Sequence, residues 1–355
     1  MRIFTVIGAR PQFIKAAPLS ETLRKTHEEF LVHTGQHYDT YMSTVFFEEL
    51  GIPEPDANLE AGGGTHAEQT ANMIVPLESL MIAQDPDIVL IYGDTNSTLA
   101  GALASAKLNI PIAHVEAGLR SFNMTMPEEV NRILTDRVSS LLFCPTQTAA
   151  HNLRAEGITE GVLVTGDIMA DAVFRNRDRG NKTLLDTLKF EPEIGYILTT
   201  IHRPTNADSK QRLTTIFDQF SQINQPVIFP LHPRTRKQMI AFNLAPPTNV
   251  HLIDPLGYSD LLFLLNHADI CITDSGGLQK EAYLLNTACV TVRPQTEWTE
   301  TIDSGWNTLA EPDQISDKVN DMRALKSSHP HPEFYGDGKA NVKMMNAMEA
   351  FVQRL

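Results

Sequence analysis

Short apolar runs rich in β-branched residues recur along the chain, separated by longer stretches whose apolar positions repeat every three or four residues. This alternation predicts parallel sheets built from βαβ units. In the first half, RIFTVIG from Arg2, EEFLVHTG from Glu28, DIVLIYGD from Asp87, PIAHVEAG from Pro111 and LLFCPT from Leu141 read as strands, each running into a polar or glycine-rich loop. After GVLVTGDIMADA from Gly161, the stretch RNRDRGNKTLLDTLKFEPE from Arg175 loses its apolar period and gains charge, glycine and proline, which marks a domain linker. The second half repeats the scheme with YILTTIHR from Tyr196, PVIFPLHPR from Pro226, VHLIDP from Val250, DICITDSGG from Asp269 and ACVTVRP from Ala288. KANVKMMNAMEAFVQRL from Lys339 reads as a terminal amphipathic helix suited to packing on either domain. The expected fold class is α/β, with two parallel-sheet domains at 1–173 and 192–338.

Composition agrees with two cores. The 355 residues exceed what one core ordinarily supports, and 42% apolar with 20% charged residues is a globular balance. No segment approaches the roughly 20 uninterrupted apolar residues of a membrane span, and MRIFTVIGAR lacks the parts of a signal peptide, so no membrane role and a cytoplasmic location are expected. Cys144, Cys271 and Cys289 are odd in number and lie in or beside apolar runs, which predicts buried thiols and no metal site. A net charge of −14 argues against a nucleic-acid partner, and an anionic substrate must therefore meet a locally positive cleft.

Candidate chemistry lies at the strand ends, where open parallel sheets collect ligands. In GARPQFIKAAP, from Gly8, a strand ends in glycine before a turn bearing Arg10, and the helix that follows carries Lys15 about one turn in. Two cations and a helix N-terminus suit a diphosphate. The G-x-G-x-x-G spacing of a dinucleotide site is missing, both here and at the GGG from Gly62. YGDTNST places Asp94, and HVEAGLR places Glu116, at the mouths of successive strands. FNMTMPEEVNR sets Glu128 and Glu129 in the first turn of a helix, where helix-dipole stabilisation accounts for one of the pair. Acids gathered in one cleft raise one another's pKa, which is how general acids are made. In ITDSGGLQKEAYLL, Ser275, Gly276 and Gly277 precede a helix, the strongest phosphate-site signal in the chain, with Glu281 one turn in, within reach of a ribose diol. No Walker A loop is present. His202 and Arg203 follow a strand, and His232, Arg234, Arg236 and Arg293 add positive charge at other strand ends.

Taken in order, GARPQFIK, GDTNSTLAGALA, HVEAGLR, PEEVNR, the histidine after YILTTI and DSGGLQKEA resemble the non-hydrolysing UDP-N-acetylglucosamine 2-epimerases, from Met1 to about residue 310. The resemblance implies a glycosyltransferase-B-like fold of two Rossmann-like, doubly wound parallel-sheet domains with the active site in the interdomain cleft, a C-terminal helix at 339–355 returning to the first domain, no cofactor, and commonly a homodimer. It implies catalytic roles for Asp94, Glu116, Glu128 and His202. UDP-sugar contacts are implied for Arg10, Lys15, Ser275, Gly276, Gly277, Glu281 and Arg293, and Arg203 and His232 join them by position. It also implies an activator site for a second UDP-N-acetylglucosamine at Gln36 and His37. The reaction implied is elimination of UDP to a 2-acetamidoglucal, followed by re-addition.

Gln12, the compact SFNMTMPEE loop and the arginines of PLHPRTRK depart from many members and look like the branch acting on UDP-2,3-diacetamido-2,3-dideoxyglucuronate. An extra arginine there could take a C6 carboxylate in bidentate fashion. A glycosyltransferase would share the architecture, but would need one base and an acceptor groove in place of groups on both faces of C2.

Overall fold

The computed structural model describes residues 1–36, 50–187, 195–325 and 329–355. Contacts divide the chain into one unit of residues 1–175 with 334–355 and a second of residues 176–333. The stretch 334–338, expected in the second domain, belongs to the first unit. The backbone NH of Asp167 donates to Tyr335 O at 2.9 Å, tying that stretch to the start of helix Ile168–Asn176.

The first unit holds strands β1 (Arg2–Ile7), β2 (Glu28–His33), β3 (Ala57–Asn58), β4 (Ile88–Tyr92), β5 (Ile112–Val115), β6 (Leu141–Cys144) and β7 (Val162–Val164). They lie in the order β3-β2-β1-β4-β5-β6-β7, and every pairing is parallel. Both faces of the sheet are covered, so β4 reads as an unbroken apolar run, IVLIY, buried throughout. One core layer joins Phe4, Val6, Val89 and Ile91 to Met73, Leu77 and Met81 of helix His66–Gln84. The terminal helix Ala340–Val352 packs on helix Arg10–Leu23. Asn341 Nδ2 donates to Thr22 Oγ1 at 2.8 Å, and His27 pairs with Glu349.

The second unit holds β8 (Ile197–Thr200), β9 (Val227–Pro230), β10 (Val250–Ile253), β11 (Ile270–Thr273), β12 (Ala288–Thr291) and β13 (Asn307–Leu309), again all parallel, in the order β10-β9-β8-β11-β12-β13. Its core gathers Ile197, Phe229, Ile272 and Val290 with Phe217 and Phe220 of helix Lys210–Ser221.

Each sheet winds outward in both directions from its central pair of strands, β1 and β4 in the first unit and β8 and β11 in the second. The loops leaving such a pair diverge to opposite faces and open a crevice between them, where ligands of open α/β sheets bind. In the first unit those loops begin at Gly8 and Gly93, and in the second at Ile201 and Asp274. Among the described residues no helix is long and apolar enough to cross a membrane.

Candidate functional site

At the β1 end, backbone approaches side chains too closely for any residue but glycine. A Cβ on Gly8 would lie 1.9 Å from Thr34 Oγ1 and 2.2 Å from Ser97 Oγ. Gln12, buried one turn into the helix, fixes the turn. Its Oε1 accepts from Gly8 N at 2.8 Å and Ala9 N at 3.0 Å, while its Nε2 donates to Tyr92 O at 2.8 Å and Thr98 Oγ1 at 3.0 Å. The side chain thus stitches the β1 loop to the β4 loop. Arg10 stands exposed at the first position of the helix. Lys15, expected as a second phosphate cation, is instead engaged by the carboxylate of Glu116. That carboxylate also lies 3.5 Å from where a Cβ on Gly93 would stand, so Lys15 and Glu116 close over the residue that precedes Asp94.

Asp94 is one-third exposed and bound by Arg132, whose other terminal nitrogen donates to Glu129 Oε2 at 2.7 Å. Asn131 Nδ2 holds the Asp94 carbonyl at 2.9 Å. The PEE pair separates by role. Glu129 is buried and accepts from Ser121 N at 2.9 Å and Phe122 N at 2.8 Å, fastening the loop before its helix. Burial by itself would raise the pKa of Glu129, but those two NH groups and Arg132 hold it below the ordinary value. Glu128 is exposed in the first turn. Glu116 adopts φ +68°, a left-handed conformation uncommon for a residue with a side chain and typical of functional strand ends.

The second unit is organised by Asp274, fully buried at the end of β11. It accepts from His202 N at 3.0 Å, Arg203 N at 3.0 Å and Asn206 Nδ2 at 3.1 Å, and His202 Nδ1 lies 3.4 Å from its Oδ1. The His202 ring stacks on that of His232 with centroids 5.3 Å apart. His232 caps helix Pro233–Phe242, its Nδ1 accepting from Arg234 N at 3.1 Å. Ser275 caps helix Gly276–Leu284, and a Cβ on Gly277 would meet nothing within 4 Å, leaving that helix N-terminus open to an anion. Arg293 pairs with Glu297 at 3.0 Å, and Glu281 is buried one turn into the helix. Trp298 Nε1 donates to Gly276 O at 2.9 Å, and Lys280 lies over the Trp298 ring.

Arg234 and Arg236, read as spare cations for a sugar carboxylate, each have a carboxylate partner already: Asp208 at 2.8 Å and Asp254 at 2.7 Å. Gln36 is taken up internally, its Oε1 accepting from Ser97 N at 2.9 Å and Ser97 Oγ at 2.6 Å at the start of helix Asn96–Lys107. His37 lies outside the described residues. Among the described residues no group of three or more His, Cys, Asp or Glu is placed to hold a metal ion. Sequence reasoning passed over Arg132 and Asp274. Arg132 carries no signal of its own one turn into an amphipathic helix. Asp274 had one, an acid directly after an apolar strand and before SGG.

The UDP-N-acetylglucosamine 2-epimerase family pattern matches residues 21–349. The chain is similar to a UDP-N-acetylglucosamine 2-epimerase homolog of Methanococcus maripaludis, 46% identical over 98% of this chain and 99% of that one. It is also similar to the UDP-2,3-diacetamido-2,3-dideoxy-D-glucuronate 2-epimerase of Pseudomonas aeruginosa, 45% identical over 97% and 98%. Among solved structures, the Methanocaldococcus jannaschii UDP-GlcNAc 2-epimerase in complex with UDP-GlcNAc and UDP matches at TM-score 0.84 and 38% identity, covering 99% of this chain and 100% of that one. A glycosyltransferase from Streptomyces nogalater, 14% identical at TM-score 0.58 over 98% and 95%, shares the glycosyltransferase-B-like fold alone. The chain is an isomerase by kinship, and it belongs to the UDP-N-acetylglucosamine 2-epimerase family.

Proposed function

We propose that the chain interconverts UDP-N-acetylglucosamine and UDP-N-acetylmannosamine in the cytoplasm, by eliminating UDP across C1 and C2 and adding it back after a proton returns to the other face of C2. The C2 proton is not acidic, so a base removes it only as the anomeric bond breaks, and cations on the departing diphosphate lower that barrier. In this reading the helix N-terminus at Ser275, Gly276 and Gly277 takes the diphosphate with Arg293 and Arg203, and Glu281 takes the ribose. His202, stacked on His232, supports the leaving group. Arg10 adds charge, and Lys15 holds Glu116. Asp94, Glu116 and Glu128 then provide the protonatable groups that two faces of C2 require. The observation that carries the reading is the joining of two strand-end carboxylates to cations, Glu116 to Lys15 and Asp94 to Arg132, at the crevice between β1 and β4 and the strand next to them. A transferase with one base has no use for both.

Incubation with UDP-N-acetylglucosamine in D2O tests it. Deuterium at C2 in both epimers is expected, and turnover to an acceptor without C2 exchange would reject it. A second reading, the same chemistry on the 2,3-diacetamido uronate, is favoured by the 45% identity to an enzyme of that name. Exchange confined to the uronate, and lost in Arg234→Ala, would select it. Two regulatory features belong to the same proposal: activation by a second UDP-N-acetylglucosamine at Gln36 and His37, and a homodimer. The first predicts sigmoidal kinetics, the second a two-chain mass in sedimentation.

A further inference from the structure

Behind Asp94 and Glu116, two of the catalytic candidates of the first unit, lies a buried polar chain that the proposed reaction does not use. His114, in β5, and Asp136, in the last turn of helix Pro127–Val138, are both buried. His114 Nε2 lies 2.7 Å from Gly93 O, and His114 Nδ1 lies 2.7 Å from Asp136 Oδ1. The second oxygen of Asp136 accepts from Gly118 N at 3.1 Å and from Arg120 Nη1 at 2.7 Å, and Arg120 in turn makes a two-point pair with Glu156, at 2.6 and 2.8 Å.

Position alone gives no reason for a carboxylate at Asp136. The last turn of a helix disfavours negative charge, and burial disfavours it further. Its partners supply the reason. Burial would raise the pKa of Asp136, but hydrogen bonds and charge from His114, then Arg120, hold it below its ordinary value. Gly93 O offers only lone pairs, so Nε2 must carry a hydrogen. The ring, bonded at both nitrogens, fixes the distance between the Gly93 carbonyl and Asp136.

What the chain clamps are two turns. Gly93, at φ +65°, directly precedes Asp94. Glu116, at φ +68°, and Gly118, at φ +79°, form the turn after β5. The left-handed Glu116 costs about 1–2 kcal/mol, so its turn would relax unless held. Asp136 is bonded to one turn through Gly118 N and to the other through His114 and Gly93 O. We propose that Asp136 and His114 are positioning residues that hold the carboxylates of Asp94 and Glu116 in catalytic register.

This rests on the epimerase reading, and the experiment separates the two. C2 deuterium exchange by the unaltered chain tests the reading itself; its absence would remove both. Given exchange, Asp136→Asn is the decisive variant, because it removes the charge that Gly118 N, Arg120 and the His114 ring all meet. His114→Phe, which keeps a ring and loses both hydrogen bonds, makes the same test should the first not fold. The expected result is a fall in kcat and in C2 exchange of about 100-fold, the scale of a 1 Å misplacement. UDP affinity and KM should stay within about threefold of wild type, because the second unit and the sugar contacts are untouched. Glu156→Gln, at the far end of the chain, should leave kcat unchanged. A folded Asp136→Asn or His114→Phe protein with wild-type kcat would overturn the proposal. So would equal losses in kcat and UDP affinity, or a fall in activity that merely follows the unfolded fraction in a thermal melt.

Discussion

Lys15 Nζ and Glu116 Oε2 form an ion pair that joins the helix after β1 to the end of β5, with side chains only 13% and 7% exposed. A pair so enclosed differs from a surface salt bridge: removing one partner leaves the other charge uncompensated, at about 3–5 kcal/mol. Lys15→Met and Glu116→Gln should therefore each destabilise the first unit. The double variant should lose less than the two losses together, with a coupling of about 1–3 kcal/mol. Urea unfolding of the four proteins measures this, and additive losses would show that the pair contributes nothing as a pair.

Much of this arrangement was legible before the structure, and the reason is periodicity. The ten strands read from apolar runs are present, because a strand buried on both faces writes itself as a continuous run. The edge strands β3, β7 and β13, of two or three residues each, are too short to show a pattern. Asp94, Glu116, His202 and Ser275 could be singled out because each lies within two residues of the end of such a run. The pairings that support them could not. Two of the partners of Gln12 stand 80 and 86 positions away, and those of Asp274 lie 68 to 72 positions back. Such pairings come from which strands become neighbours. The pairing of Lys15 with Glu116 is of the same kind, because the end of β5, two strands over from β1, lies 101 positions along the chain.

Gln12 fills a position where an amide is required. One end meets two NH donors, and the other meets Tyr92 O, which already accepts from Thr98 Oγ1 at 2.6 Å. In Gln12→Glu the second oxygen would confront a carbonyl with lone pairs only, unless it took up a proton. The introduced carboxyl should therefore have a raised folded-state pKa, and the variant should lose about 1–3 kcal/mol at pH 8. Because the folded state binds the extra proton, the deficit should shrink as the pH falls toward 5. Thermal or urea unfolding across that range checks it, and a pH-independent deficit would contradict it.

The three cysteines should behave as inert packing groups. Burial, with the nearby negative charge of Asp136, pushes the Cys144 thiol up to about 12, and burial beside Cys289, its register partner across β11 and β12, pushes Cys271 well above the ordinary range. For Cys144 a rise of about three units leaves roughly a thousandth of the ordinary thiolate fraction. The folded protein should thus react with a disulfide reagent only as fast as it opens, and should titrate three thiols at once in denaturant. A single thiol reacting rapidly in the native state would disprove the assignment.

Asp171 makes the docking of the terminal helix depend on pH. Its carboxylate accepts from Ala340 N at 3.1 Å and Asn341 N at 3.0 Å, the first NH groups of helix Ala340–Val352. Burial nevertheless raises its pKa to about 6. The two NH bonds only partly oppose the shift, and the charge of Asp167 adds to it. The unfolded chain releases this proton near its ordinary value of about 4, so between about pH 4 and pH 6 the folded state holds the proton longer. Stability from this group is then greatest below about pH 4 and falls as the pH rises through 6, by on the order of 2–3 kcal/mol. Other carboxyls, Asp136 and Glu129 among them, have lowered values and act in the opposite direction, so the total profile does not isolate the effect. The difference between wild type and Asp171→Asn does, because the amide cannot titrate. Urea unfolding at pH 4 and pH 7 should show that difference moving in favour of the variant by about 2 kcal/mol as the pH rises. The same move should appear as reduced hydrogen-exchange protection in 340–352 of the wild type at the higher pH, after correction for the intrinsic exchange rate. A constant difference would mean that Asp171 is ionised throughout and that its two NH bonds outweigh its burial.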